Sequence, residues 1–180
     1  MAYEFVIARI LSGHFGGSIF VWGGLISTVM AGLALGAYLG GKFSDKEFPH
    51  KWISRSFFIC SALVLGLSFS QVPLIQLFGS AFDVKKAILL SSFSLYFFPS
   101  FFMGTISPLL VESLSRLQGQ GKAGFFSGQI SSLNTAGSIA GTLFTSFVWI
   151  PAMKLDQIIL IIAILLSLCG FISLKLNHKA

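Results

Sequence analysis

Few residues in this chain have types and spacings suited to chemistry. Glu4, Arg9 and His14 lie in the first apolar segment, Met1 to Gly16. A charge within hydrocarbon costs about 2.5–3.5 kcal/mol on insertion scales, so it needs a partner or water. One reading of Glu4 and Arg9 is a substrate- or proton-binding pair in a central cavity. The other is a structural ion pair, or two residues at a membrane interface. Five residues apart, they do not share a helix face, so each is expected to meet another helix, with Asn134 a candidate partner. Gln129, Asn134 and Thr135 form a second polar group, fit to line a cavity or to hydrogen-bond between helices. Glu112 and Arg116 have the spacing of a pair on one helix face and are expected at a cytoplasmic interface. Asp45 suits a cap or latch at helix ends. His14 is a titratable candidate, whereas His50 and His178 fall in charged connectors. The histidines are not spaced as a metal site, and no serine has a histidine and an acid arranged around it. No metal, cofactor or catalytic residue is expected.

The elements that position these residues are set by composition. The chain has 180 residues, 54% hydrophobic and only 10% charged, with mean hydropathy +0.86. A soluble domain carries about 25% charged residues, so an all-α polytopic membrane bundle in a single domain is the class that fits. The net charge of +6 does not point to nucleic acid, because the basic residues sit in short connectors and at the C-terminus, as positive-inside topology requires. Cys60 and Cys169 lie in apolar runs and read as small buried hydrophobes.

The organising stretch is Phe20 to Lys46, FVWGGLISTVMAGLALGAYLGGKFSDK. It holds roughly 20 uncharged residues, enough to cross a ~30 Å hydrocarbon core as a helix. Gly32, Gly36 and Gly40 recur at four-residue spacing and offer a flat face for a neighbouring helix. Six helices are expected: a short or partial first one to Gly16, then about 19–40, 53–78, 87–111, 124–150 and 155–174. Pro49 is expected to stop helix locally, Pro73 to kink or end the third helix, and Pro151 to end the fifth. The first half of the fifth, GFFSGQISSLNTAGSIAG, is too polar to face lipid. It is expected inside the bundle, with Gly137 and Gly141 at a packing face. Counting Lys and Arg places eight on the cytoplasmic side (Lys42, Lys46, Lys51, Arg55, Arg116, Lys122, Lys175, Lys179) and three opposite (Lys85, Lys86, Lys154). Both termini are then cytoplasmic, in the cytoplasmic membrane of a prokaryote.

The run EFVIARILSGHFGGSIFVWGGLISTVMAGLALGAYLGGKFSDK resembles the membrane domain of spermidine synthase-like fusion proteins, and so do FFMGTISPLLVE and GQISSLNTAGSIAGTLFTSFVWIP. Together these cover Tyr3 to about Pro151. In that family a bundle resembling half of a major facilitator transporter precedes a soluble aminopropyltransferase-like domain. GGKFSDK also resembles the turn between helices two and three of major facilitator proteins, with Lys42, Asp45 and Lys46 at the matching places. Two departures stand out. The family's first helix begins further upstream, and after Leu174 only KLNHKA remains, with no glycine-rich loop after a strand to hold a nucleotide-type cofactor. The resemblance therefore implies a fold, and aminopropyl transfer does not carry over.

Two functions follow as expectations. The first is a noncatalytic membrane subunit or anchor of a larger assembly, with other membrane subunits or a separate soluble partner, held in the lipid bilayer. The alternative is a small transporter or permease for amines, working as a homodimer.

Overall fold

The computed structural model describes residues 1–44, 49–118 and 123–177. Asp45, Lys46, Lys122, His178 and Lys179 lie outside them, and the side chain of His50 is likewise not described.

The chain is an all-α bundle: α1 (Ala2–Phe15), α2 (Ile19–Ser44), α3 (Pro49–Ala81), α4 (Val84–Gln118), α5 (Ala123–Phe144) and α6 (Leu155–Asn177). A five-residue π-helical turn, Thr145–Trp149, and a short helical piece, Ile150–Ala152, prolong α5. Among the described residues α2, α3, α4 and α6 are long and apolar enough to cross a membrane. The fourteen residues of α1 reach only about 21 Å at 1.5 Å each. α5 is long enough but carries the polar run SGQISSLNTAGS.

Several expected boundaries move. Pro49 opens α3 instead of stopping helix, because a proline at the first helical position lacks only an N–H that would be unpaired there anyway. α4 runs through both Pro99 and Pro108 and absorbs Glu112 to Gln118, expected to be a connector. Pro151 lies inside the last turn of its segment, and the chain turns extended at Met153 (φ −136°, ψ 158°). The stop after α1 is Gly16, whose φ of +78° lies in the region that side chains with a Cβ avoid.

Packing centres on two contacts. The first joins α2 to α4. A Cβ on Gly32 would lie 2.9 Å from the Phe97 carbonyl oxygen, one on Gly40 would lie 2.8 Å from Thr105 Cα, and one on Gly36 would strike the Phe101 carbonyl oxygen. Gly104 answers from α4, where a Cβ would come 2.6 Å from the Leu33 carbonyl oxygen. Lipid gives helices no hydrophobic reason to associate, so close backbone approach supplies the dispersion energy. The glycine row lies against α4.

The second contact is α1 itself, sunk into the core. Tyr3, Val6, Ile7, Ala8, Ile10 and Leu11 are all buried, packed with Val21, Leu25, Ile88, Leu95, Tyr96 and Ile158. Pro99 cannot donate to the carbonyl four residues earlier, Leu95. The Tyr3 hydroxyl donates to that carbonyl instead, at 3.4 Å. The Tyr96 hydroxyl returns the favour to the Tyr3 and Glu4 carbonyls, at 3.2 and 3.0 Å, and the two rings stand 5.3 Å apart. Tyr3→Phe is therefore expected to orphan the Leu95 carbonyl and cost about 0.6–2 kcal/mol, measured as unfolding in mixed detergent–SDS micelles. An unchanged midpoint would show that the carbonyl needs no donor.

Hydroxyls tie α3 to its neighbours at successive depths. Ser54 bonds Ser173 (2.9 Å), Ser61 donates to the Ala163 carbonyl and meets Ser167 (2.8 Å each), and Ser56 meets Thr105 (3.0 Å). These pairs fix the antiparallel register of α3 and α6. They place Lys51, Arg55 and Lys175 at one end of the bundle with Lys42 and Arg116, and Lys85, Lys86 and Lys154 at the other.

Candidate functional site

Each polar residue singled out from the sequence has a definite place. Glu4 sits in the first turn of α1, its carboxylate 3.4 Å from the Met1 amino group and largely shielded. Tyr3, its neighbour, reaches Leu95 near the middle of α4, so Glu4 stands deep in the bundle. Arg9 and His14 are exposed. The His14 ring meets the Ile10 carbonyl of its own helix, at 3.1 Å. Neither Arg9 nor Glu4 joins Asn134: Arg9 is exposed, and the Glu4 carboxylate meets the Met1 amino group.

Glu112 and Arg116 form the anticipated pair, at 2.7 Å. Arg116 does more than that: its other guanidinium nitrogen donates to the Ser44 carbonyl at 2.9 Å. A cation thereby closes the C-terminus of α2, where the helix dipole favours positive charge. Beside it Lys42 lies over the Tyr38 ring and Arg55 over Trp52, which stacks on Phe43.

α5 departs most from expectation. Gln129, Asn134, Thr135 and Gly137 are exposed. A Cβ on Gly137 or Gly141 would meet nothing within 4 Å, so these glycines pack closely against no neighbour among the described residues. The helix touches α4 and α1 and hardly meets α6. Its orientation is nevertheless inward. Phe126 and Thr145 are buried, and Ser138 and Gly141 are half-buried. Asn134 stands eight residues after Phe126, four before Ser138 and eleven before Thr145, all spacings that share one helix face. Asn134 therefore lies on the bundle side of α5, yet no described residue covers it.

What lies there is a slot. A cavity of about 250 Å³ is lined by Ala2, Gly141, Phe144, Thr145, Trp149, Ile162, Leu165, Leu166 and Cys169. The first turn of α1 roofs it, and α5 and α6 are its walls. Asn134 is seven residues from Gly141, about 10 Å along the same face toward the basic end. Cys169, expected to be buried, is exposed on the α6 wall, while Cys60 is fully buried with its thiol 3.6 Å from the Pro99 carbonyl. The slot is lined almost wholly by apolar groups, and the polar stretch of α5 begins beyond it, toward Asn134. No cluster of three metal-ligating side chains occurs among the described residues.

Sequence reasoning missed the Tyr3–Tyr96 pair and the contact from Gln71 Nε2 to the Asp156 carboxylate, 3.1 Å, between α3 and α6. The first had a signal, since Pro99 announces an unpaired carbonyl at Leu95. The second had none, because residues 85 apart meet only through the fold.

Fold and site define an all-α bundle whose described residues include four helices long and apolar enough to span a membrane, with an exposed polar stretch on α5. The chain matches no protein-family model, no curated protein and no solved structure.

Proposed function

We propose that this chain is a noncatalytic membrane subunit or anchor, completed by another membrane-embedded polypeptide. The observation that carries the reading is Asn134, an amide on the bundle-facing side of α5 that no described residue covers. Ser127 and Ser131 are exposed on the same face. Polar side chains at membrane depth are costly against lipid and ordinarily bond to neighbouring helices. A covering chain removes that cost, and the small residues let it come close. Extraction in mild detergent at native expression level tests this: a particle larger than one 19.4 kDa chain plus its detergent is expected. A solitary monomer, with Asn134→Leu indifferent to particle size and membrane insertion, would overturn it.

A second reading rests on Glu4. A shielded carboxylate in the first turn of α1, two residues after the Ala2 that lines the slot, suits a small transporter or permease, with cationic amines as the cargo that the charge favours. Glu4→Gln is expected to abolish uptake in proteoliposomes, by at least about tenfold, while particle size stays the same. Unchanged uptake with an intact particle would leave Glu4 a structural role.

A further inference from the structure

We infer that the slot between α5 and α6 holds the distal part of one phospholipid acyl chain, taken from the surrounding bilayer. The inference goes beyond the subunit and carrier readings and depends on neither. The slot is an apolar cavity of about 250 Å³. Its floor is Thr145 and Ile162, both buried, and its rim is Phe144, Leu165 and Cys169, all exposed. The mouth therefore opens on the outer surface of the bundle, where lipid lies. The π-helical turn Thr145–Trp149 supplies both Thr145 and Trp149 to the lining, and such turns are frequent at functional sites. The Trp149 ring meets Phe144 edge-on at 5.2 Å, which fixes that wall.

Polarity, size and depth name the occupant. An empty cavity forfeits the dispersion contacts of its lining, and water needs several polar partners that an apolar lining does not give. Ile162 and Cys169 are seven residues apart on α6, about 10 Å of helix. A volume of about 250 Å³ over that length leaves a cross-section of about 25 Å², the girth of a single extended hydrocarbon chain. A helix with its side chains is about 10–12 Å across and does not enter. The slot lies in the middle third of α6: Ile162 follows Leu155 by seven residues, and Cys169 precedes Asn177 by eight. In a ~30 Å hydrocarbon core that is the depth at which acyl chains end, so the headgroup stays at the membrane surface. A chain seated there joins α5 to α6, which hardly meet directly among the described residues.

The experiment uses proteoliposomes of phosphatidylcholine that carries a photoreactive diazirine at the end of one acyl chain. Light is expected to attach the probe to residues 141–149 and 162–169 several-fold more than to Ile26, Met30 and Leu35, which are apolar and exposed on α2. Gly141→Leu is expected to lower slot labelling several-fold, because its side chain enters the cavity, where a Cβ meets nothing within 4 Å. Gly137→Leu, one turn away and outside the lining, is expected to leave labelling unchanged. Helicity and elution volume confirm each fold, and Cys169→Phe narrows the slot from α6 should Gly141→Leu fail to fold. Labelling spread evenly over the apolar surface, or undiminished in a folded variant with the slot filled, overturns the proposal. Weak slot labelling in a particle that contains a second membrane polypeptide overturns it and leaves the subunit reading standing. Strong slot labelling of a solitary monomer upholds it, while the subunit reading falls.

Discussion

Gly36→Leu is expected to prevent the bundle from closing. The first atom of any side chain there falls on the Phe101 carbonyl oxygen, and a backbone atom cannot rotate out of the way. Gly32 and Gly40 sit one turn to either side, each with a Cβ clearance under 3 Å, so α2 cannot tilt to relieve the clash without opening the rest of the seam. Overpacking costs about 1–3 kcal/mol where side chains can adjust; here the loss is expected at or above about 3 kcal/mol. Equilibrium unfolding in mixed micelles reads it, with folded yield as the cruder measure. The control is Gly41→Ala in the same helix, where a Cβ meets nothing within 4 Å. That change should be neutral or stabilise by up to about 1 kcal/mol, since alanine is the better helix former. Similar losses at Gly36 and Gly41 would mean that the α2–α4 contact does not hold the bundle together.

Tyr96→Ala is the second large effect. Tyr96 is fully buried, stacks obliquely on Tyr3, and its hydroxyl holds the first turn of α1 through two carbonyls. Truncating a buried aromatic residue costs about 3–5 kcal/mol. Tyr96→Phe keeps the ring and removes only the hydroxyl, so about 0.6–2 kcal/mol is expected. The difference between the variants separates packing from hydrogen bonding. Tyr96→Ala should also loosen α1 selectively, seen as faster amide exchange from Tyr3 to Leu11 while α3 and α6 stay protected. Uniform loss of protection across the molecule would show that α1 is not a separable element.

The class of the molecule was legible because lipid imposes rules that act on short stretches. A long uncharged run must be helical to pair its own backbone groups, and four-spaced glycines in such a run mark a place where another backbone comes close. Both are local properties, so Gly32, Gly36 and Gly40 could be assigned to packing before any partner was known. Glu112 and Arg116 were legible for the same reason, being one turn apart. Boundaries were less so: Pro49 reads as a breaker or an opener depending on whether helix precedes or follows it.

What the chain order could not say is which helix faces which. The partner of the glycine row is α4, the donor for the Leu95 carbonyl is Tyr3, and the closure of α2 is Arg116 from 72 residues away. Each is a meeting of distant segments decided by three-dimensional packing. The polar half of α5 shows the division most sharply. Its composition determined that it should avoid lipid, because hydroxyls and amides lose hydrogen bonds there. Only the tertiary structure decided that the described residues leave it uncovered: α5 is held mainly by α4 and α1, and no described segment packs over its polar stretch.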